Sequence, residues 1–188
     1  MILSYQNSNG GWPTYELMRS FEAVELINPA ETFGGIMVDY SYVECSSACM
    51  TALAAFRRRF PEHRKAEILA AIGAGRAFVE RIQRADGSWY GSWAVCFTYG
   101  SWFGAKALAA AHQTAHNSAA QRKGVEFLLS KQREDGGWGE SYLSCQDKQY
   151  SQLDGVPPSH LRCVRPRRRL VVTKGYDHKV QYTLHQRI

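Results

Sequence analysis

The chain has no Cys-x-x-Cys pair, and no histidine or third cysteine lies at ligand spacing near Cys45 and Cys49, which share one face of a helical pattern. A tetrahedral zinc site needs such spacing, so no metal is expected. Cys45, Cys49, Cys96, Cys145 and Cys163 are odd in number, and Met1–Gly11 lacks the basic and apolar regions of a signal peptide. Reduced thiols in an intracellular compartment are therefore expected. A long uncharged apolar run is also missing. The most apolar stretch, residues 93–111, is broken by Lys106, Gly100 and Gly104, and reads as a buried helix of a globular protein rather than a membrane span. Residues 1–155 show no β-sheet pattern.

Acidic residues are scarce at one end only. Residues 1–155 carry 15 Lys/Arg and 16 Asp/Glu, whereas residues 156–188 carry 8 Lys/Arg and one acid. The whole excess of +6 thus belongs to the last 33 residues. A nucleic-acid-binding fold spreads a basic face over its folded elements, so no nucleic-acid partner is expected. The basic run 165–169 reads as a segment foreign to the rest of the chain.

What is present is a repeat. Gln6–Trp12, Gln83–Trp89 and Gln132–Trp138 share one pattern, glutamine, glycine four residues on and tryptophan two after that, with offsets of 77 and 49 residues. Amphipathic runs at 76–82 and 123–131 stop at the repeat glutamine, where glycine-bearing pairs break the helix. The glutamine amide can cap backbone groups at neighbouring helix ends, and the tryptophan can pack over the turn. The element reads as a clamp between successive helices. Between the clamps, 42–56 and 93–111 are apolar nearly all round, as inner helices are, whereas 62–81 has the charged face of an outer one. The expected architecture is all-α, a partial (α/α)6 barrel or toroid over residues 1–155, with 156–188 outside the native fold.

These stretches resemble the oxidosqualene cyclases, whose hallmark is the so-called QW repeat. The resemblance is carried by LSYQNSNGGWPTYE (3–16), ELINPAETFG (25–34), DYSYVECSSA (39–48), DGSWYGSWAVCFTYGSWFG (86–104) and FLLSKQREDGGWGESYLSCQ (127–146). It implies a piece of the catalytic barrel of a much longer enzyme, of the cycloartenol or lanosterol type. Such an enzyme protonates the epoxide of 2,3-oxidosqualene and guides a carbocation cascade, with no cofactor. A cation in an apolar cavity is stabilised by aromatic faces, which offer negative potential without a nucleophile. By resemblance, Trp93 faces early ring-forming cations and Tyr15 lines the cavity late in the cascade. Cys45 hydrogen-bonds the catalytic aspartic acid. Phe97, Tyr99 and Trp102 are assigned to packing. The family setting also implies membrane association of the full-length enzyme, at the endoplasmic reticulum or lipid droplets.

The chain departs from the family in two places. The Asp-Cys-Thr-Ala-Glu motif that carries the acid does not occur, and Asp39, Asp86 and Asp135 are poor substitutes. After residue 155 the family pattern gives way to the basic tail. The chain alone is therefore expected to be inactive. Two other readings use the same residues: a non-catalytic helical-repeat scaffold, and another (α/α) toroid such as a protein prenyltransferase β-subunit. The second calls for a zinc site that the six histidines do not build.

Overall fold

In the computed structural model the described residues are 1–29, 35, 37–93, 95–134 and 136–153, with the backbone of 172–173 and 181–182. Among them are five α-helices: α1 (Val43–Arg59), α2 (Lys65–Arg81), α3 (Cys96–Ala110), α4 (Ala119–Ser130) and the short α5 (Leu143–Asp147). Two 3-10 turns, Ile2–Tyr5 and Glu22–Ile27, precede them. Residues 1–153 hold two isolated bridges, Trp12–Tyr42 and Glu140–Gln152, and no strand among the described residues. Val172–Thr173 pairs antiparallel with Gln181–Tyr182. The rest of the tail expectation, and Asp135, lie outside the described residues.

Charge placement suits the helix dipoles. α1 begins with Glu44 in its first turn and ends on Arg57, Arg58 and Arg59; α2 has Glu67 in its first turn and Arg81 in its last. Two helices are shorter than the sequence pattern. Residues 61–64 form a turn and Arg64 is left-handed at φ 46°, so α2 begins at Lys65 rather than Glu62. α3 begins at Cys96 because Ser92 and Trp93 turn away to a carboxyl on α1, described below. α4 is capped by Ser118, whose hydroxyl accepts the Gln121 N–H.

α1 and α3 pack side by side, with α2 against both and α4 on the far side of α3. This alternation of inner and outer helices is an arc of an α/α toroid. Its core runs through Met50, Leu53, Ile68, Phe78, Val79 and Leu108, with Trp12 and Trp89 fully enclosed.

The clamps set this arrangement. The Gln6 amide donates to Gly10 O of its own turn at 2.8 Å and to Ala71 O of α2 at 2.9 Å. The Gln83 amide donates to Gly87 O at 2.9 Å and to Ala120 O of α4 at 2.8 Å. Gly10, Gly87 and Gly136 all have positive φ, between 81° and 89°, where a side chain is strained. The main-chain N–H of Trp12 donates to Ser46 Oγ on α1, and that of Trp89 to Ser101 Oγ on α3. Each indole N–H reaches a carbonyl ten residues back: Ile2, Val79 and Leu128 for Trp12, Trp89 and Trp138.

Two details differ from the sequence reading. Ala71 lies inside α2, so the first glutamine ties down a helix body rather than an end. The tryptophans also leave their own turns. Trp89 lies between Gly104 of α3 and Gly124 of α4, where a Cβ on either glycine would run into its ring. The indole needs this deep position because its N–H must satisfy a buried carbonyl.

Gly104→Ala is therefore expected to destabilise the chain by about 1–3 kcal/mol through overpacking against Trp89. Gly73→Ala, on the open side of α2 with nothing within 4 Å of a new Cβ, is expected to stabilise it by about 0.5–1 kcal/mol. Urea unfolding of the two variants checks both signs.

Candidate functional site

Tyr15, Cys45 and Trp93 come from three separate segments, and the structure brings all three to the N-terminal end of α1. Two carboxyl groups do this. Asp39, just before α1, accepts the Thr14 N–H at 2.9 Å through Oδ1, and the Tyr15 and Glu16 N–H groups at 2.6 and 2.9 Å through Oδ2. Glu44, in the first turn of α1, accepts the Ser92 N–H at 2.6 Å. The Trp93 N–H bears on the same carboxyl. One acid thus holds the Tyr15 loop and the other the Trp93 loop.

The side chains differ in exposure. Tyr15 is 81% exposed and Trp93 is 47% exposed. The Trp93 ring rests on Tyr42 at 5.8 Å between centroids, tilted by 56°. Cys45 is half-buried, with its Sγ 3.7 Å from Thr14 Oγ1. One turn along α1 is Cys49, also half-buried. With exposed Ala48, Ala52 and Phe56, these cysteines form an apolar stripe along α1. Of the aromatics assigned to packing, Phe97 is buried and Tyr99 meets Phe103 edge-on, while Trp102 lies partly exposed under the Lys106 ammonium. The site is thus an open apolar wall with two aromatic rings at one end.

Burial dominates the electrostatics here. It raises the Cys45 thiol, with the Thr14 hydroxyl pulling the other way, and it pushes Cys49 up to about 11. Tyr42 is pushed up to about 12, again by burial first and then by the Asp39 charge. Burial likewise raises Glu44 above its ordinary value of 4.5, and the Ser92 and Trp93 N–H groups hold that rise back. None of these groups is poised as a strong acid. Both oxygens of Asp39 are engaged as acceptors of backbone N–H groups. Among the described residues no group of His, Cys, Asp and Glu is arranged to hold a metal ion.

Sequence reasoning missed three residues. Asp39 was set aside as a substitute acid, yet it is a positioning group. Glu44 was passed over, and so was Glu140, which is buried and accepts the Phe97 and Thr98 N–H groups at 2.8 and 2.7 Å, capping α3 from another segment. A signal was present: Glu44 and Glu140 are the only charges in the runs 40–56 and 136–146. A lone charge in an apolar run must find partners or ionise poorly. A shallow depression of about 330 Å³, lined by Asp86, Lys123 and Phe127 among others, lies on other elements than this site.

Two consequences are measurable. At pH 8 the Cys49 thiol is expected to react with iodoacetamide about 100-fold more slowly than an ordinary thiol, since its value near 11 stands some two pH units above the usual 9.0. Labelling followed by mass spectrometry reads this directly. For Glu44 the folded value is raised, so folding favours the neutral form. Its contribution to stability is complete below the unfolded value and is lost as pH rises through the folded one. Glu44→Gln is therefore expected to remove part of the stability loss between pH 4 and pH 8, measured as the urea midpoint at each pH.

The squalene–hopene cyclase C-terminal domain family matches residues 1–161. Human lanosterol synthase is 52% identical over 155 residues, 81% of this chain and 21% of that protein. A lanosterol synthase of Aspergillus fumigatus is 50% identical over 151 residues, 80% of this chain and 20% of that protein. An alpha-onocerin synthase of Lycopodium clavatum is 42% identical over 155 residues, 82% of this chain and 20% of that protein. The chain spans about a fifth of the length of these relatives. It belongs to the oxidosqualene cyclase/lanosterol synthase family and corresponds to part of the C-terminal domain.

Proposed function

We propose that this chain is one wall of a sterol cyclase cavity, of the cycloartenol or lanosterol type, and that it has no cyclase activity alone. The observation carrying this is the convergence of Tyr15, Cys45 and Trp93 on the N-terminal end of α1, held there by Asp39 and Glu44. In the full-length enzyme the substrate is 2,3-oxidosqualene. The Trp93 ring, fixed on Tyr42 with about half its surface open, presents a face to a developing cation. A desolvated aromatic face supplies about 2 kcal/mol to such a cation. Tyr15 stands at the same end of the wall for later steps. The Cys45 thiol, kept protonated by burial, is suited to donate a hydrogen bond to an acid supplied by another segment and is too weak a nucleophile to trap a cation.

Epoxide opening requires a positioned proton donor. The carboxyl groups of Asp39, Glu44 and Glu140 all hold backbone N–H groups. Residues 156–188 are proposed to lie outside the cyclase fold, although the family match reaches into this segment as far as residue 161. The product is set elsewhere: relatives that this chain matches over nearly the same length, at 50% and 42% identity, carry lanosterol and alpha-onocerin synthase names. The same reading places the full-length enzyme at the endoplasmic reticulum or lipid droplets.

Incubation of the purified chain with 2,3-oxidosqualene is expected to give no cyclised product; product would overturn the proposed inactivity. A chimera of human lanosterol synthase carrying residues 1–155 of this chain is expected to form lanosterol. In that chimera Trp93→Ala should lower turnover about 30-fold, the equivalent of one cation–π contact. A chimera that folds yet turns over equally well with and without Trp93 would remove the role assigned to that ring.

A further inference from the structure

Beside the main core lies a smaller one, formed by Cys96, Phe97, Phe127, Leu128 and Cys145. Cys96 opens α3, and Cys145 belongs to α5, 49 residues further on. Their Sγ atoms are in contact at 2.6 Å. Both side chains are buried, Cys96 at 1% exposure and Cys145 at 7%.

α5 has little hold of its own. It is five residues long, with Ser144 and Cys145 buried, and a helix that short is not stable by itself. The Ser144 hydroxyl is spent within the loop, accepting the Ser151 N–H at 2.8 Å. The segment ahead of α5 is tied to α3 by Glu140, which accepts the Phe97 and Thr98 N–H groups. Cys145 then meets α3 one residue before that cap, at Cys96.

We propose that Cys96 and Cys145 are a redox pair that closes to a disulfide under oxidation and straps α5 to the start of α3. Two side chains in contact can be joined with little movement of either backbone. The oxidant is a small disulfide of the oxidised-glutathione class. The Cys145 thiol, the less enclosed of the two, loses its proton and attacks one glutathione sulfur, releasing the first reduced glutathione. Cys96 then attacks the Cys145 sulfur of that mixed disulfide and releases the second. The chain gives up two electrons and two protons, and one glutathione disulfide becomes two glutathione thiols. Burial raises the Cys96 thiol, and a hydrogen bond from Tyr90 works against that rise. With both sulfurs enclosed, exchange waits for α5 to lift, so the strap is slow to form and slow to reduce. Its place is behind the candidate site, since α3 begins three residues after Trp93. Glu44 holds that loop from α1, and the closed strap holds the start of α3 from the other side.

The test is thiol mapping on the folded chain. The chain is equilibrated in buffers of reduced and oxidised glutathione, quenched in acid, unfolded, alkylated with N-ethylmaleimide and digested with trypsin without reduction. Cys96 falls in peptide 85–106 and Cys145 in peptide 134–148, apart from the peptides holding Cys45, Cys49 and Cys163. The linked pair of 85–106 with 134–148 is expected as the first disulfide within the chain, lost on adding dithiothreitol and absent from Cys145→Ala. The same buffer with concentrated urea should give at least about tenfold less of it, because the unfolded chain no longer holds the two thiols together. In the oxidised chain the Phe97 and Thr98 amides should exchange with deuterium at least about tenfold more slowly than in the reduced chain. The proposal is overturned if Cys96 and Cys145 are recovered alkylated at every glutathione ratio, or if the link forms equally in urea. Unchanged exchange at Phe97 and Thr98 in the oxidised chain would remove the strapping role. None of these readings involves cyclised product, so the strap and the cyclase proposal stand or fall separately.

Discussion

The structure depends on a glutamine amide held between two carbonyls, one in its own turn and one on an outer helix. At Gln6 and Gln83 this pair of bonds fixes where the outer helix lies. The tryptophan that follows fills the space between the two layers. Its main-chain N–H is tied to a serine of the inner helix, and its indole N–H to a carbonyl behind the turn. Each such bond adds only about 1 kcal/mol net, but a buried donor left without its partner costs more than that. The geometry is fixed chiefly by the cost of leaving these groups unsatisfied.

A second device is the carboxyl that gathers backbone N–H groups from a distant segment. Asp39 and Glu44 act on the loops that carry Tyr15 and Trp93, and Glu140 acts on the start of α3. These loops leave N–H groups without regular partners, and a charged acceptor satisfies two or three of them at once. The cost is felt at Glu44, where burial works against the charge.

The repeat, the inner and outer character of the helices and the all-α class were legible in the sequence because each is a local pattern. Glutamine, glycine and tryptophan sit at fixed offsets, and apolar periodicity distinguishes α2 from α3. Tyr15, Cys45 and Trp93 were singled out only through family resemblance, since a tyrosine, a cysteine or a tryptophan in an apolar stretch ordinarily means packing. Glu44 and Glu140 went unread although each is the sole charge in its run. Their partners are main-chain N–H groups 48 and 43 residues away for Glu44 and Glu140, and backbone groups leave no mark in a sequence.

The sequence by itself determined the three clamp turns, because the positive φ at Gly10, Gly87 and Gly136 favours glycine. It also determined which helices are buried. Tertiary structure decided what each clamp holds. That Gln6 reaches Ala71 inside α2, that Trp89 lies between Gly104 and Gly124, and that three separate segments meet at the start of α1 all follow from packing across dozens of residues. Such contacts are chosen by the shape and unsatisfied hydrogen bonds of whole surfaces, which no local spacing encodes.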